Sequence, residues 1–132
     1  MPNNPSPKKY LLSKPEAVED YPFGPDVMVF KIKGKMFATL TVAAKKDPEP
    51  LRMNLKCDPE QAVQLRDVFA SVIPGYHMNK THWNTIILDG DVPQGEVERM
   101  IDHSYGLVVK SLKKAERTSL ELAYGEEKVY GL

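Results

Sequence analysis

Between Val27 and Cys57, bulky apolar and polar side chains alternate through three consecutive runs, and a single glycine divides the first two. In the first run Met28, Phe30 and Ile32 fall on one side, and Val29, Lys31 and Lys33 on the other. After Gly34 the period resumes, with Met36, Ala38, Leu40 and Val42 on one side. A polar, proline-flanked stretch over 45–50 leads to the third run, where Leu51, Met53, Leu55 and Cys57 alternate with Arg52, Asn54 and Lys56. A period of two does not suit a helix and predicts three half-buried strands, since successive strand side chains point to opposite faces. Lys33-Gly34-Lys35 reads as a hairpin turn, which makes the first two strands antiparallel.

Helical signals flank this block. Ser6 followed by Pro7 reads as a cap and first position for a short helix to about Ser13. Pro15, Pro22, Gly24 and Pro25 predict a loop. Asp58-Pro59-Glu60 supplies a cap, a proline at the first helical position and an acid at the positive end of the dipole. Ala62, Leu65, Phe69 and Val72 then follow at helical spacing until Pro74-Gly75 ends the element. Tyr76 to Leu88 is expected to hold two short strands turning near Asn79-Lys80-Thr81. Pro93 opens the longest helix, to about Lys113, with a buried stripe of Val97, Ile101, Tyr105, Val108 and Leu112. Runs of strands joined by short turns predict an α+β fold of two layers, an antiparallel sheet with helices packed on one face. One core is expected to join Met28, Phe30, Met36, Leu40, Met53, Leu55, Phe69, Ile101, Tyr105 and Val108. The domain is read as residues 1–114, with 1–6 a loose arm. Residues 115–132 read as a tail extension whose weak alternation at Leu120, Leu122 and Tyr124 predicts fraying or pairing with a sheet edge.

Several function classes are poorly served by this chain. Its 132 residues suit one domain, and one cysteine allows neither an internal disulfide nor a Cys-rich zinc site. No apolar run approaches the ~18 residues of a membrane span, and the first residues lack a signal-peptide core, so a cytoplasmic location is expected. There is no Gly-rich phosphate loop, serine elbow, HExxH pair or paired carboxylate set. No enzymatic activity, cofactor or metal is therefore expected. Cys57, on the apolar side of its strand, reads as a structural thiol. His103 lies off the buried stripe and reads as solvated or capping.

Charge is segregated, although the total is zero. Residues 27–56 carry seven cations and two anions, whereas 57–132 carry eight and twelve. The alternation puts Lys31, Lys33, Arg52 and Lys56 opposite the apolar side, which predicts a basic second face. The plain reading is a solvated sheet surface. The functional reading is a platform for a polyanion, with DNA the expected partner. Its contacts would be Lys31, Lys33, Lys35, Arg52 and Lys56, joined by His77, Lys80 and His82 of the second hairpin. Tyr76 or Trp83 would stack on bases, although Trp83 is first expected to be a core anchor, as large aromatics usually are. The alternative is a non-enzymatic small-molecule or protein-interaction module of unknown ligand. On either reading no membrane partner is expected, and the chain is expected to be a monomer or weak homodimer.

Five segments carry a resemblance: DYPFGP at 20–25, FKIKGKMF at 30–37, RMNLKCDPE at 52–60, PGYHMNKTHW at 74–83 continuing to Gly90, and IDHSY at 101–105. Through them the chain, from about Tyr10 to Lys114, resembles the MmcQ/YjbR-like family. The resemblance implies a compact α+β fold with an antiparallel sheet and no catalytic role. The family has been likened to double-wing DNA-binding proteins. The implied wings are the hairpins about Lys33-Gly34-Lys35 and Asn79-Lys80-Thr81.

Overall fold

The computed structural model describes residues 7–41, 51–75 and 78–131. The expectations that rest on the first six residues, on Val42, on the 45–50 loop, and on Tyr76 and His77 lie outside the described residues. The elements run in the order α1 (Lys8–Leu12), β1 (Val18–Asp20), β2 (Val27–Ile32), β3 (Lys35–Thr41), β4 (Arg52–Lys56), α2 (Pro59–Val68), β5 (Val72–Pro74), β6 (Trp83–Ile87), α3 (Gln94–Lys110), α4 (Lys114–Tyr124) and α5 (Glu126–Tyr130). The strands form one six-stranded sheet in the order β1-β2-β3-β4-β6-β5, and every neighbouring pair is antiparallel. Helix α3 lies along β2, β3 and β4, and α2 lies beside it toward β5, so the expected two-layer α+β architecture is present.

The three alternating runs become β2, β3 and β4. Lys33 and Gly34 both take positive φ, 51° and 82°, which is what a two-residue turn needs to follow the twist of its strands. One correction concerns β3. A bulge falls where Phe30 pairs with Ala38 while Lys31 pairs with Met36. Phe37 is the additional residue, and the alternation slips by one position there. Phe37 is turned into the core, where its ring meets Tyr105 edge-on at 5.2 Å, while Met36 goes to the second face opposite Lys31. Met36 therefore leaves the expected core. Met28, Phe30, Leu40, Met53, Leu55, Ile101, Tyr105 and Val108 are all in it, and Phe69 packs at its margin.

Other boundaries also differ from expectation. Helix α2 ends at Val68, because Phe69 is extended (φ −117°, ψ 120°) and Val72 already belongs to β5. Both side chains feed the same core from a strand approach, so helical spacing continued past the helix. Asp58 holds the N-cap position, but its carboxylate makes no capping hydrogen bond, and Pro59 and the backbone bond from Ala62 N–H to the Asp58 carbonyl define the start. Strand β1 falls inside the proline-flanked stretch read as loop. Helix α3 stops at Lys110, three residues early. The tail neither frays nor joins the sheet. It folds as α4 and α5, with Leu120 and Val129 fully buried against the rest of the core.

One turn of α3 ties the layers together. Ile101 is fully buried. The Asp102 carboxylate accepts hydrogen bonds from the Tyr10 hydroxyl at 2.7 Å and the Lys14 ammonium at 2.6 Å. Lys14 is only 7% exposed, and its charge is shared between Asp102 and the faces of Tyr10 and Tyr105. His103 Nε2 accepts the Asp58 N–H at 3.3 Å, so this residue fulfils the capping half of its expectation. Ser104 Oγ donates to the Phe37 carbonyl at 2.6 Å and accepts the Lys56 N–H at 2.9 Å. Those two backbone groups belong to β3 and β4, beyond the last paired residues Ala38 and Leu55. The serine thus bridges them where the β3–β4 ladder ends. The Tyr105 hydroxyl donates to the Pro15 carbonyl at 2.6 Å.

Candidate nucleic-acid interface

The sheet register places both hairpin tips at one end. The Lys33-Gly34 turn lies beyond Ile32 and Lys35, and the 75–82 connection lies beyond Pro74 and Asn84. Lys56, the last residue of β4, pairs with Trp83, the first residue of β6, at that same end. Only β4 separates the β2–β3 hairpin from the β5–β6 hairpin, so their axes stand roughly 14 Å apart, three strand spacings. The second tip is shaped by Asn79, whose Oδ1 accepts the N–H groups of Thr81 at 2.9 Å and His82 at 3.3 Å. Its base is fixed by Gly75, where a Cβ would stand 2.8 Å from both the Cβ and the carbonyl oxygen of Trp83. Arg66 braces the hairpin from α2, donating to Asn84 Oδ1 at 2.8 Å and to the Lys80 carbonyl at 3.5 Å.

The expected site residues divide into three groups. Lys56, Lys80, His82 and Trp83 gather at the hairpin end, with Lys80 and His82 exposed and Lys56 and Trp83 half-buried. Lys31 and Lys33 lie near it but face acids: Lys31 meets Asp20 at 2.9 Å, and Lys33 meets Glu16 at 3.0 Å. The hydrogen bond from Lys31 holds the Asp20 carboxyl below its ordinary range. Lys35 and Arg52 do not join the group. Lys35 donates to the Ser111 carbonyl at 3.2 Å, at the negative end of α3. Arg52 begins β4, four residues or roughly 14 Å from Lys56, at the opposite end. His77 lies outside the described residues.

Two expectations about this surface are corrected. Trp83 is not a core anchor. It shares the second face with Lys56 and stands outside the core cluster, half-buried against Gly75. Nor is the second face uniformly basic. Its middle is neutral and closed, with Val29, Thr39 and Thr85 buried and the Thr85 hydroxyl donating to Asn54 Oδ1. The neutralising acids were missed because Glu16 and Asp20 sit in the stretch read as loop. Asp20 belongs to β1, three residues long and too short for a periodicity, and Glu16 to the turn before it. Cys57 is buried, and burial pushes its thiol up to about 11, away from nucleophilic reactivity. Among the described residues no three His, Cys, Asp or Glu side chains converge as a metal site, and no helix is long and apolar enough to cross a membrane.

The sequence profile of the YjbR family matches residues 12–107. The chain is 34% identical over 110 residues to the uncharacterized protein YbdF of Escherichia coli O157:H7, covering 83% of this chain and 87% of that one. It is 30% identical over 112 residues to the uncharacterized protein YjbR of Escherichia coli K12, covering 85% and 92%. A crystal structure of a Deinococcus radiodurans protein with a DUF419 domain superposes with a TM-score of 0.76 at 39% identity, covering 86% of this chain and 83% of that one. A crystal structure from Pseudomonas syringae matches with a TM-score of 0.65 at 30% identity over 75% of this chain and 92% of its own.

Proposed function

This chain belongs to the YjbR family, and we propose that it binds nucleic acid, DNA above all, through the end of the sheet from which both hairpins project. The carrying observation is the shared direction of the two tips, with Trp83 half-exposed on the surface between them. A separation of roughly 14 Å is close to the ~12 Å width of the B-DNA major groove, so both tips can meet one duplex. Lys56 and Lys80 supply the phosphate contacts, His82 adds a hydrogen bond, and Trp83 offers an aromatic face. Lys31 and Lys33 contribute less, because each must first leave a carboxylate. No base-reading side chain enters this reading, so the binding is without sequence preference, and no catalytic step is part of it.

With two or three phosphates engaged, the log–log salt slope of affinity is about −2 to −3. Fluorescence anisotropy of labelled duplex and single strand at two salt concentrations measures it. Lys80→Ala should reduce the slope by about one unit, since one phosphate contact is lost. Salt-independent binding, or none at low salt, would refute the reading.

A further inference from the structure

The helix layer is not closed. Between α2 and α3, above β4 and β6, lies a cleft of about 170 Å³. Leu55, Cys57, Ile86 and Met100 form its floor and one wall, and Leu65 closes it from α2. All but Leu65 are buried. The one polar side chain at this depth is already committed: Asn84 accepts from Arg66 at 2.8 Å and donates to the Ala62 carbonyl at 3.3 Å. The floor therefore asks for no hydrogen bond. A cavity of roughly 150 Å³ is large enough to take benzene, and this cleft, apolar at its floor and open to solvent at its rim, is of that size.

The rim is polar and carries both signs. Lys56 lines it at the end of β4, Gln61 stands on the α2 side, and Glu96, Arg99 and His103 on the α3 side. These three share one face of α3, one turn apart. Glu96 and Arg99 approach to 3.4 Å, but the Arg99 side chain is 76% exposed. Such a surface pair is worth about 0–1 kcal/mol and opens readily for a better partner. A shallower trough of about 370 Å³, reaching Gln64, Val68 and Phe69, continues outward from the same rim residues. A ligand that presents one charge leaves the opposite rim charge uncompensated or repelled. A ligand with an apolar body and a zwitterionic head satisfies both.

We propose that this cleft binds a free apolar α-amino acid of leucine to phenylalanine size. The side chain lies on the Leu55–Ile86–Met100 floor, the carboxylate meets Arg99 and the ammonium meets Glu96. Lys56 lines the edge of this cleft, but the head group is held by Glu96 and Arg99 on the helix face, so Lys80→Ala removes a nucleic-acid contact and leaves this site intact.

The test is a titration followed by ¹⁵N–¹H spectra, with L-phenylalanine, 3-phenylpropionate and phenethylamine as probes on the full chain. L-phenylalanine should give saturable shifts at 55–57, 61–65, 84–86 and 96–103, with a Kd on the order of 1 mM, as suits so small a ligand. It should bind about fivefold more tightly than either singly charged analogue, each of which lacks one exposed ion pair. Arg99→Gln, at an exposed position, should erase the advantage over phenethylamine. Gln61→Trp, which sets bulk across the mouth, should abolish binding of all three. Equal affinity for 3-phenylpropionate, shifts confined elsewhere, or no shifts up to ~20 mM would overturn the proposal.

Discussion

Ser104→Ala is the sharpest test of how the sheet and helix layers are joined. The hydroxyl serves two backbone groups at once, the buried Phe37 carbonyl at 2.6 Å and the Lys56 N–H at 2.9 Å. Removing it takes this partner from both, because the β3–β4 ladder stops at Ala38 and Leu55 and does not pair them with each other. An abandoned buried polar group costs about 1–3 kcal/mol, and alanine returns about 0.5 kcal/mol of helix propensity. The expected net loss is about 2–4 kcal/mol. For a domain of this size that lowers Tm by roughly 8–15 °C. Urea unfolding followed by circular dichroism gives the free energy, and hydrogen exchange gives the location. The Lys56 amide should lose protection while Met53, paired within the intact ladder, keeps it. Ser104→Thr retains the oxygen and should recover most of the stability. A loss under about 0.5 kcal/mol for the alanine variant would refute the bridging role, since that is the range of surface changes.

Three further outcomes follow. Trp83→Ala should cost about 1–2 kcal/mol, well below the ~3–5 kcal/mol of a core tryptophan, and should weaken nucleic-acid binding, as denaturation and anisotropy would show. Gly75→Ala should destabilise the second hairpin, because its Cβ would stand 2.8 Å from the Trp83 backbone, and thermal unfolding would register the loss. Cys57 has its thiol raised from 9.0 to about 11, so the folded state holds that proton more tightly than the unfolded one. Its contribution is fully present below pH 9 and is lost as pH rises through 11, by about 2 kcal/mol at that point. Cys57→Ala should flatten the stability profile between those pH values relative to the native chain.

What the chain discloses before folding depends on how local the signal is. The strands β2 and β4 and the buried stripe of α3 were legible because their periods match their burial. The bulge at Phe37 was not, since nothing in FKIKGKMF marks the extra residue, and the partners Phe37 meets there, Tyr105 and Ser104, are far away in the chain. The end of α2 was missed because Phe69 and Val72 reach the core equally well from an extended backbone. The tail was misread because the period of α4 is broken by an exposed Leu122, while Leu120 and Val129 show their burial only once α3 is in place. Within the candidate interface, residue type identified the cations, but long-range pairing decided which remain available. Glu16, Asp20 and the Ser111 carbonyl removed three of them from the open surface. The α2–α3 cleft left no local mark, since its lining comes from four separate elements.

The two outer strands carry a consequence for the behaviour of the protein in a crowded solution. An open sheet ends in rows of unpaired backbone groups, which are templates for further strands and hence for aggregation. Here both margins are only three residues long, Val18–Asp20 and Val72–Pro74. The first carries two acids, Glu19 and Asp20, charged side chains of the kind that blunt an exposed edge. The second ends in proline, which has no N–H to offer a new neighbour. Each of the long strands β2, β3, β4 and β6 is flanked on both sides. Each margin thus offers a new strand few backbone groups, and the longer strands lie inside the sheet. Strand addition is thereby disfavoured against self-association through side-chain surfaces.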